Sequence, residues 1–306
     1  MGDKLSVEFP RFKQIELEDR ALIQDMLWKY QPQTSELTFT NLFIWRAHYG
    51  VIWSLYKDLL LLVFDGNTHG TYGLPPIGAP PRQEATRLLL HWLEEKGGDE
   101  PRIERADQRL AAELAGVTDL VAEPTRDDFD YVYSCQDLVR LAGRKYHAKR
   151  NFINTFQSIY QFSYETLNQN HISACLELAA KWCRLHRCDE DLNLTGEWMA
   201  IREALTNFGA LQLQGGVIRL ARGIEAFTLG ELLNSKTAVV HIEKANPAIR
   251  GIYAVMNQQF CEHNWEHATF VNREQDLGLL PLRQAKLSYH PHHLVEKFRI
   301  RLSGNS

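Results

Sequence analysis

Apolar positions along this chain recur sometimes at helical spacing and sometimes in short continuous runs, and the changes between the two mark out its elements. Leu22, Ile23, Met26, Leu27 and Tyr30 recur as on one helix face, with Asp19 placed to cap the helix. Apolar runs at 38–45, 50–56 and 58–64, separated by short polar or glycine breaks, predict an antiparallel meander. The Pro/Gly-rich loop 69–81 leads into a helix with Ala85, Leu88, Leu89, Trp92 and Leu93 on one face, ending at Gly97 and Gly98. A strand at 102–104, a helix over 107–114 and a strand at 129–134 close this half.

The same order then returns. A helix carrying Ile172, Cys175, Leu176, Ala179, Trp182 and Cys183 and another over 197–208 precede strands at 210–214, 216–223, 225–232 and 237–244. Loop 246–251 opens a helix, a strand follows at 268–272, and the run 292–302 reads as a final strand. Matching elements lie roughly 170 residues apart, a spacing that points to a duplicated domain and not a solenoid. The expected division is 1-135 and 136-306, the second part opening on a basic linker helix at 136-158. In that helix Leu138, Leu141, Phe152 and Phe156 form a stripe into which Lys145 falls, with Lys149 on its flank. Buried lysine is rare, so either Gly143 interrupts the helix or the lysines reach out to solvent.

Composition narrows the classes. With 44% hydrophobic and 24% charged residues the chain reads as globular. The longest aliphatic run, 59–64, is far short of a membrane span, and the first residues lack the apolar core of a leader. Five scattered cysteines, an odd number, predict free thiols and a cytoplasmic setting. A net charge of -4 argues against DNA as a partner.

Polar residues concentrate at two strand tips. One holds His241, Glu243, Lys244 and Asn246; the other holds Asn272, Arg273, Glu274, Gln275 and Asp276. Adjacent strands would bring Glu243, Glu274 and Asp276 together, and crowded carboxylates acquire the raised pKa of a general base. Pro247, Arg250 and Gly251 shape a loop before a helix whose first N–H groups can take a phosphate. The run Arg140, Arg144, Lys145, His147, Lys149 and Arg150 suits an anion equally, or is a solvated helix face. Of Cys183, His186 and Cys188, the first two continue the apolar stripe of their helix and no second Cys/His pair has zinc-site spacing, so no metal is expected. Phosphate-loop, nucleophile-elbow and dinucleotide motifs are absent.

The segments GRKYHAKRNFINTF, HIEKAN, GIYAVMNQQF and NREQDLGLLPLRQAKLSYHP, with SELTFTNLFIW near the start, resemble the family containing the C-terminal domain of phosphatidylglycerol lysyltransferases. The resemblance implies an α+β chain of two tandem GNAT-like domains, each a mixed, mostly antiparallel sheet flanked by helices, with the site in the second and a structural role for the first. It further implies transfer of an acyl or aminoacyl group from a phosphate-bearing co-substrate, aminoacyl-tRNA or acyl-CoA, to an amine or hydroxyl such as a lipid headgroup, with no covalently bound cofactor. On that basis Glu243, Glu274 and Asp276 are candidate bases and Tyr289 a candidate acid. Lys145, Lys149, Arg150, Asn246, Arg250, Gly251, Asn272, Arg273, Arg283 and Lys286 are candidate substrate-binding residues. The alternative is a non-catalytic module that senses tRNA, a nucleotide or an acidic metabolite in the same cleft.

Overall fold

The computed structural model describes residues 7–66, 70–97 and 100–304, so MGDKLS, His69 and Gly98 of the preceding readings lie outside it. Fourteen strands among the described residues form two seven-stranded sheets. In chain order they are β1 (Lys13–Gln14), β2 (Val51–Tyr56), β3 (Leu59–Gly66), β4 (Gly70–Gly73), β5 (Ile103–Asp107), β6 (Leu120–Pro124), β7 (Asp130–Ser134), β8 (Ser163–Thr166), β9 (Gln214–Leu220), β10 (Gly223–Leu232), β11 (Thr237–Ala245), β12 (Phe270–Asn272), β13 (His293–Val295) and β14 (Lys297–Leu302). The first sheet runs β1-β2-β3-β4-β5-β14-β6 and the second β13-β7-β12-β11-β10-β9-β8. Each is mixed: β4 and β5 pair in parallel in one, β11 and β12 in the other, and the remaining described pairings are antiparallel.

This is the duplicated α+β pattern, but its boundary is not the expected one. The chain divides into Met1–Asp130 with Val295–Ser306, and Tyr131–Leu294. The final run, assigned above to the second half, splits: β13 borders β7, while β14 enters the first sheet between β5 and β6. The division at 135 and 136 would therefore sever β7 from the sheet it completes. Sequence periodicity shows that a run is a strand but carries no information about which neighbour supplies its hydrogen bonds.

Two further expectations change. Residues 38–45 are helical over Phe39–Ile44, capped by the Thr38 hydroxyl, which accepts from Asn41 N at 3.0 Å. All six residues of that helix are buried, so it has no polar face to reveal a helical period. Residues 208–211 are likewise a short helix, and the strand expected at 210–214 begins only at Gln214. Around Gly143 the chain is interrupted as one alternative had it: the helix Cys135–Arg140 stops at Leu141 (φ 46), Gly143 takes φ 85, and a new helix runs His147–Ile159. Lys145 therefore leaves the stripe, half-exposed beside Asp137 at 3.3 Å.

The second unit's core joins Tyr131 and Tyr133 of β7, Val271 of β12, and Ile252, Met256, Phe260 and Trp265 of and after the helix Ile252–Asn264. At tens of square ångströms of apolar surface per residue, these are worth about 1.5–3 kcal/mol each. They fix β11, β12 and that helix against one another, and so position the strand ends considered next.

Candidate functional site

Strand β12 is short. It pairs with β11 only over Thr237–Val239, after which β11 runs on to Ala245 beside β10, while Arg273 N and Glu274 O bond to Tyr131 of β7. The two strands therefore part, and side chains from both tips face the gap.

Alternate residues on β11 share a face, so His241 and Glu243 point the same way. Glu243 meets Arg273, whose Nη2 lies 3.3 Å from Oε1. Burial raises the Glu243 carboxyl above its usual range, and Arg273 and Lys286 only partly pull it back. His241 is held between Glu231 and Glu274, each 3.0 Å from one ring nitrogen. Burial opposes the imidazolium, but hydrogen bonds to Glu231 and Glu274 outweigh it and push its pKa up to about 9. Because the folded value lies above the ordinary 6.5, this stabilisation is complete below 6.5 and is lost as pH rises through about 9. In urea titrations wild type is expected to lose on the order of 2–3 kcal/mol more than His241→Gln between neutral pH and pH 10. Parallel pH dependences in the two proteins would contradict the pairing.

The carboxylates expected to crowd together are separated by their partners. Asp276 is fully buried and accepts from Tyr131 OH (2.5 Å), Gly278 N (2.9 Å) and Arg283 Nε and Nη2 (2.7 and 3.0 Å). Burial alone would raise its pKa, yet the Arg283 and Tyr131 hydrogen bonds hold it well below the carboxylate range. An acceptor so saturated is a clamp on the loop and a poor base. Glu274 is turned toward His241, its backbone at φ 59, and so is committed to a structural pair.

The expected binding residues also divide. Lys149, Arg273 and Tyr289 gather: Lys149 Nζ is 3.8 Å, and Arg273 Cζ 5.0 Å, from the centre of the Tyr289 ring. Burial pushes the Tyr289 hydroxyl up to about 12. Lys286 donates to the Arg273 carbonyl, and Asn272 Oδ1 accepts from Glu274 N at 2.8 Å, so both hold the tip. Arg150 caps the carbonyls of Leu141 and Gly143 instead of facing the gap. Asn246 bonds Glu225 at 2.9 Å, Arg250 lies exposed with its guanidinium 5.3 Å from the Phe152 ring, and Lys145 turns to Asp137. Gly251 serves backbone geometry: at φ 88, a Cβ there would sit 2.5 Å from Phe152 O.

Sequence reasoning missed Glu231, Tyr131, Tyr133 and Tyr253 and gave His241 no role. The Tyr253 hydroxyl bonds Ala245 N and O at 3.2 and 3.3 Å, occupying the end of β11. Lys244 leaves for the other face, its Nζ 3.4 Å over Trp182 and 2.8 Å from Glu197. His241 was recoverable from its alternation with Glu243; Glu231 was not, because the β10/β11 register shifts between Leu229 and Gly230. Cys183 and Cys188 are joined in a disulfide, correcting the expectation that all five thiols are free. No cluster of metal-binding side chains occurs among the described residues, and no helix among them is long and apolar enough to cross a membrane.

Comparison with known proteins bears on the fold and the family. A conserved protein of unknown function from Bacteroides thetaiotaomicron VPI-5482 shares 33% identity at a TM-score of 0.89, over 95% of this chain and 99% of that one. L-PGS from Bacillus licheniformis has the same fold at 12% identity (TM-score 0.66, 94% of this chain, 93% of that one). A tandem GNAT protein from the clavulanic acid biosynthesis pathway shares it at 10% identity (TM-score 0.52, 97% and 99%). No curated protein sequence matches. The model of the family described as phosphatidylglycerol lysyltransferase, C-terminal, matches residues 29–301, from the first helix to the last strand of the first sheet and through both parting strands, and the chain belongs to that family.

Proposed function

We propose that the chain transfers an acyl or aminoacyl group from a phosphate-bearing donor to an amine or hydroxyl acceptor, with Glu243 as the base. The carrying observation is Glu243 itself: a carboxylate at the parting of two parallel strands, raised by burial and standing beside Arg273. The acceptor's N–H or O–H loses its proton to Glu243 as its heteroatom bonds the acyl carbon; the donor's ester or thioester bond breaks, and the leaving oxygen or sulfur takes a proton. Tyr289, protonated at neutral pH, is the proposed source of that proton. The family's description as a phosphatidylglycerol lysyltransferase supports an aminoacyl cargo and a lipid-headgroup acceptor; the proposed donor is aminoacyl-tRNA, with acyl-CoA the other candidate.

The test supplies aminoacyl-tRNA or acyl-CoA with amine and lipid acceptors and follows donor consumption. Glu243→Gln is expected to lower turnover by about 10²–10⁴-fold. Turnover by wild type should fall as pH drops through the raised Glu243 pKa, because the base must be ionised. Equal rates in variant and wild type would remove Glu243 from the role. A second reading, binding without turnover, is favoured by the internal commitment of Asp276, Glu274 and Arg150. Under it a donor raises the melting temperature by mass action yet is recovered intact.

A further inference from the structure

We propose that the surface around the helix Leu280–Leu287, with the exposed basic turn beside it, docks this unit onto an anionic lipid bilayer. The helix is inverted for an element that faces water. Its cations turn inward: Arg283 holds Asp276 at 2.7 Å, and Lys286 donates to the Arg273 carbonyl. Its leucines turn outward, Leu280 67% and Leu287 45% exposed on one face at i and i+7, and no residue of the helix is buried. Leu277 and Leu279, just before it, are 58% and 56% exposed. A single exposed leucine is ordinary, but four within residues 277–287 make an apolar surface that calls for a partner.

Charge says what that partner is. Residues 138–150 and 277–290 hold seven Lys and Arg and no Asp or Glu, in a chain of net charge -4. The two segments adjoin: His290 Nε2 lies 3.1 Å from Lys145 O, and the rings of Tyr146 and His290 meet edge to face at 5.5 Å. Arg140, Arg144 and Lys145 are exposed, and neither arginine has a carboxylate partner among the described residues. The carboxylates at the borders are engaged, Asp137 by Lys145, Glu274 by His241 and Asp276 by Arg283. Leucines flanked by cations suit a bilayer of anionic lipids, the leucines entering the acyl boundary while the cations meet headgroup phosphates. An RNA would leave the leucines unused, because nucleic-acid interfaces are polar and stack bases on aromatic rings. A second copy packed across a two-fold axis would set these cations against themselves. Docking of this kind needs neither a donor nor a base, so it is independent of the transferase reading.

Co-sedimentation of the full chain with vesicles of about three parts phosphatidylcholine to one part phosphatidylserine tests this. Phosphatidylserine supplies the negative charge without being the lipid that the family's description names, so binding reports on the surface and not on a reaction site. Wild type is expected to sediment with these vesicles and about 10-fold or more weakly with phosphatidylcholine alone. Leu277→Ala with Leu280→Ala should weaken binding by about 10-fold or more, through lost apolar contact. Arg140→Gln with Arg144→Gln should do the same through lost charge, and both variants should melt as wild type does because all four side chains are exposed. Equal binding to neutral vesicles, no binding to either kind, or a leucine variant that sediments like wild type overturns the proposal. So does a wild-type dimer that the leucine substitutions turn into a monomer, or retention of tRNA through the two arginines with no affinity for vesicles.

Discussion

Lys297→Met is expected to destabilise the protein by about 3–5 kcal/mol, the range for breaking a buried ion pair from one side. The Lys297 ammonium is fully buried, with Glu36 Oε1 and Oε2 at 2.7 and 2.8 Å and Asp130 Oδ1 at 2.7 Å. Glu36 already has a pKa raised by burial, with Lys297 the main group pulling it back. Ser35 bonds Asp130 through its N and Oγ at 2.7 and 2.9 Å, but Arg105 stands 3.5 Å from Glu36 and cannot replace the lysine. The loss should shrink at acid pH, where Glu36 takes up a proton. Adding Glu36→Gln and Asp130→Asn to Lys297→Met should recover much of it, because neutral groups need no counter-charge. Chemical denaturation of the three proteins measures this, and a single variant within about 1 kcal/mol of wild type would refute the assignment.

The second large effect concerns where the chain can be cut. A fragment of residues 130–295 holds β7 through β13, every strand of the second sheet, and is expected to unfold cooperatively by itself. A fragment of 136–306, the division periodicity alone suggests, should not. It lacks β7, which bonds to β12 and carries Tyr131, Val132 and Tyr133 into the core, all at most 2% exposed. At about 1.5–3 kcal/mol for each buried side chain, their loss removes about 4.5–9 kcal/mol, comparable with the roughly 5–15 kcal/mol by which a domain is commonly stable. It also retains β14, whose ladder partners β5 and β6 are absent, as an unpaired edge prone to aggregation. Circular dichroism melts and dispersed amide spectra distinguish the two. Equal cooperativity would show that β7 is dispensable.

The candidate site was partly legible before any fold was known. The tips at 241–246 and 272–276 are recognisable because polar residues end two apolar runs, and strand ends beside a helix start collect function. Glu243 with Arg273, and Lys149 with Tyr289, are indeed brought together. Yet the same list of charged residues hid three different fates. Asp276 became a saturated clamp, Glu274 a partner of a buried imidazolium, and Arg150 a cap on helix carbonyls. Charge and position in the sequence do not foretell these fates; what decides them is the direction each side chain takes and what it meets.

By itself the sequence determined the order of helices and strands, the tandem repeat, the strand–helix–strand core of the second unit and the two polar tips. These follow from local periodicity, propensity and turn chemistry, which act over a few residues and are written in order along the chain. Tertiary structure alone decided that 297–302 enters the first sheet between β5 and β6, that 130–134 belongs to the second, and that Lys297 must satisfy Glu36 and Asp130. It also decided which carboxylate keeps a raised pKa. The physical reason is common to all of these: ladder pairing and burial depend on contacts between residues distant in sequence, and a pKa depends on the neighbours those contacts supply.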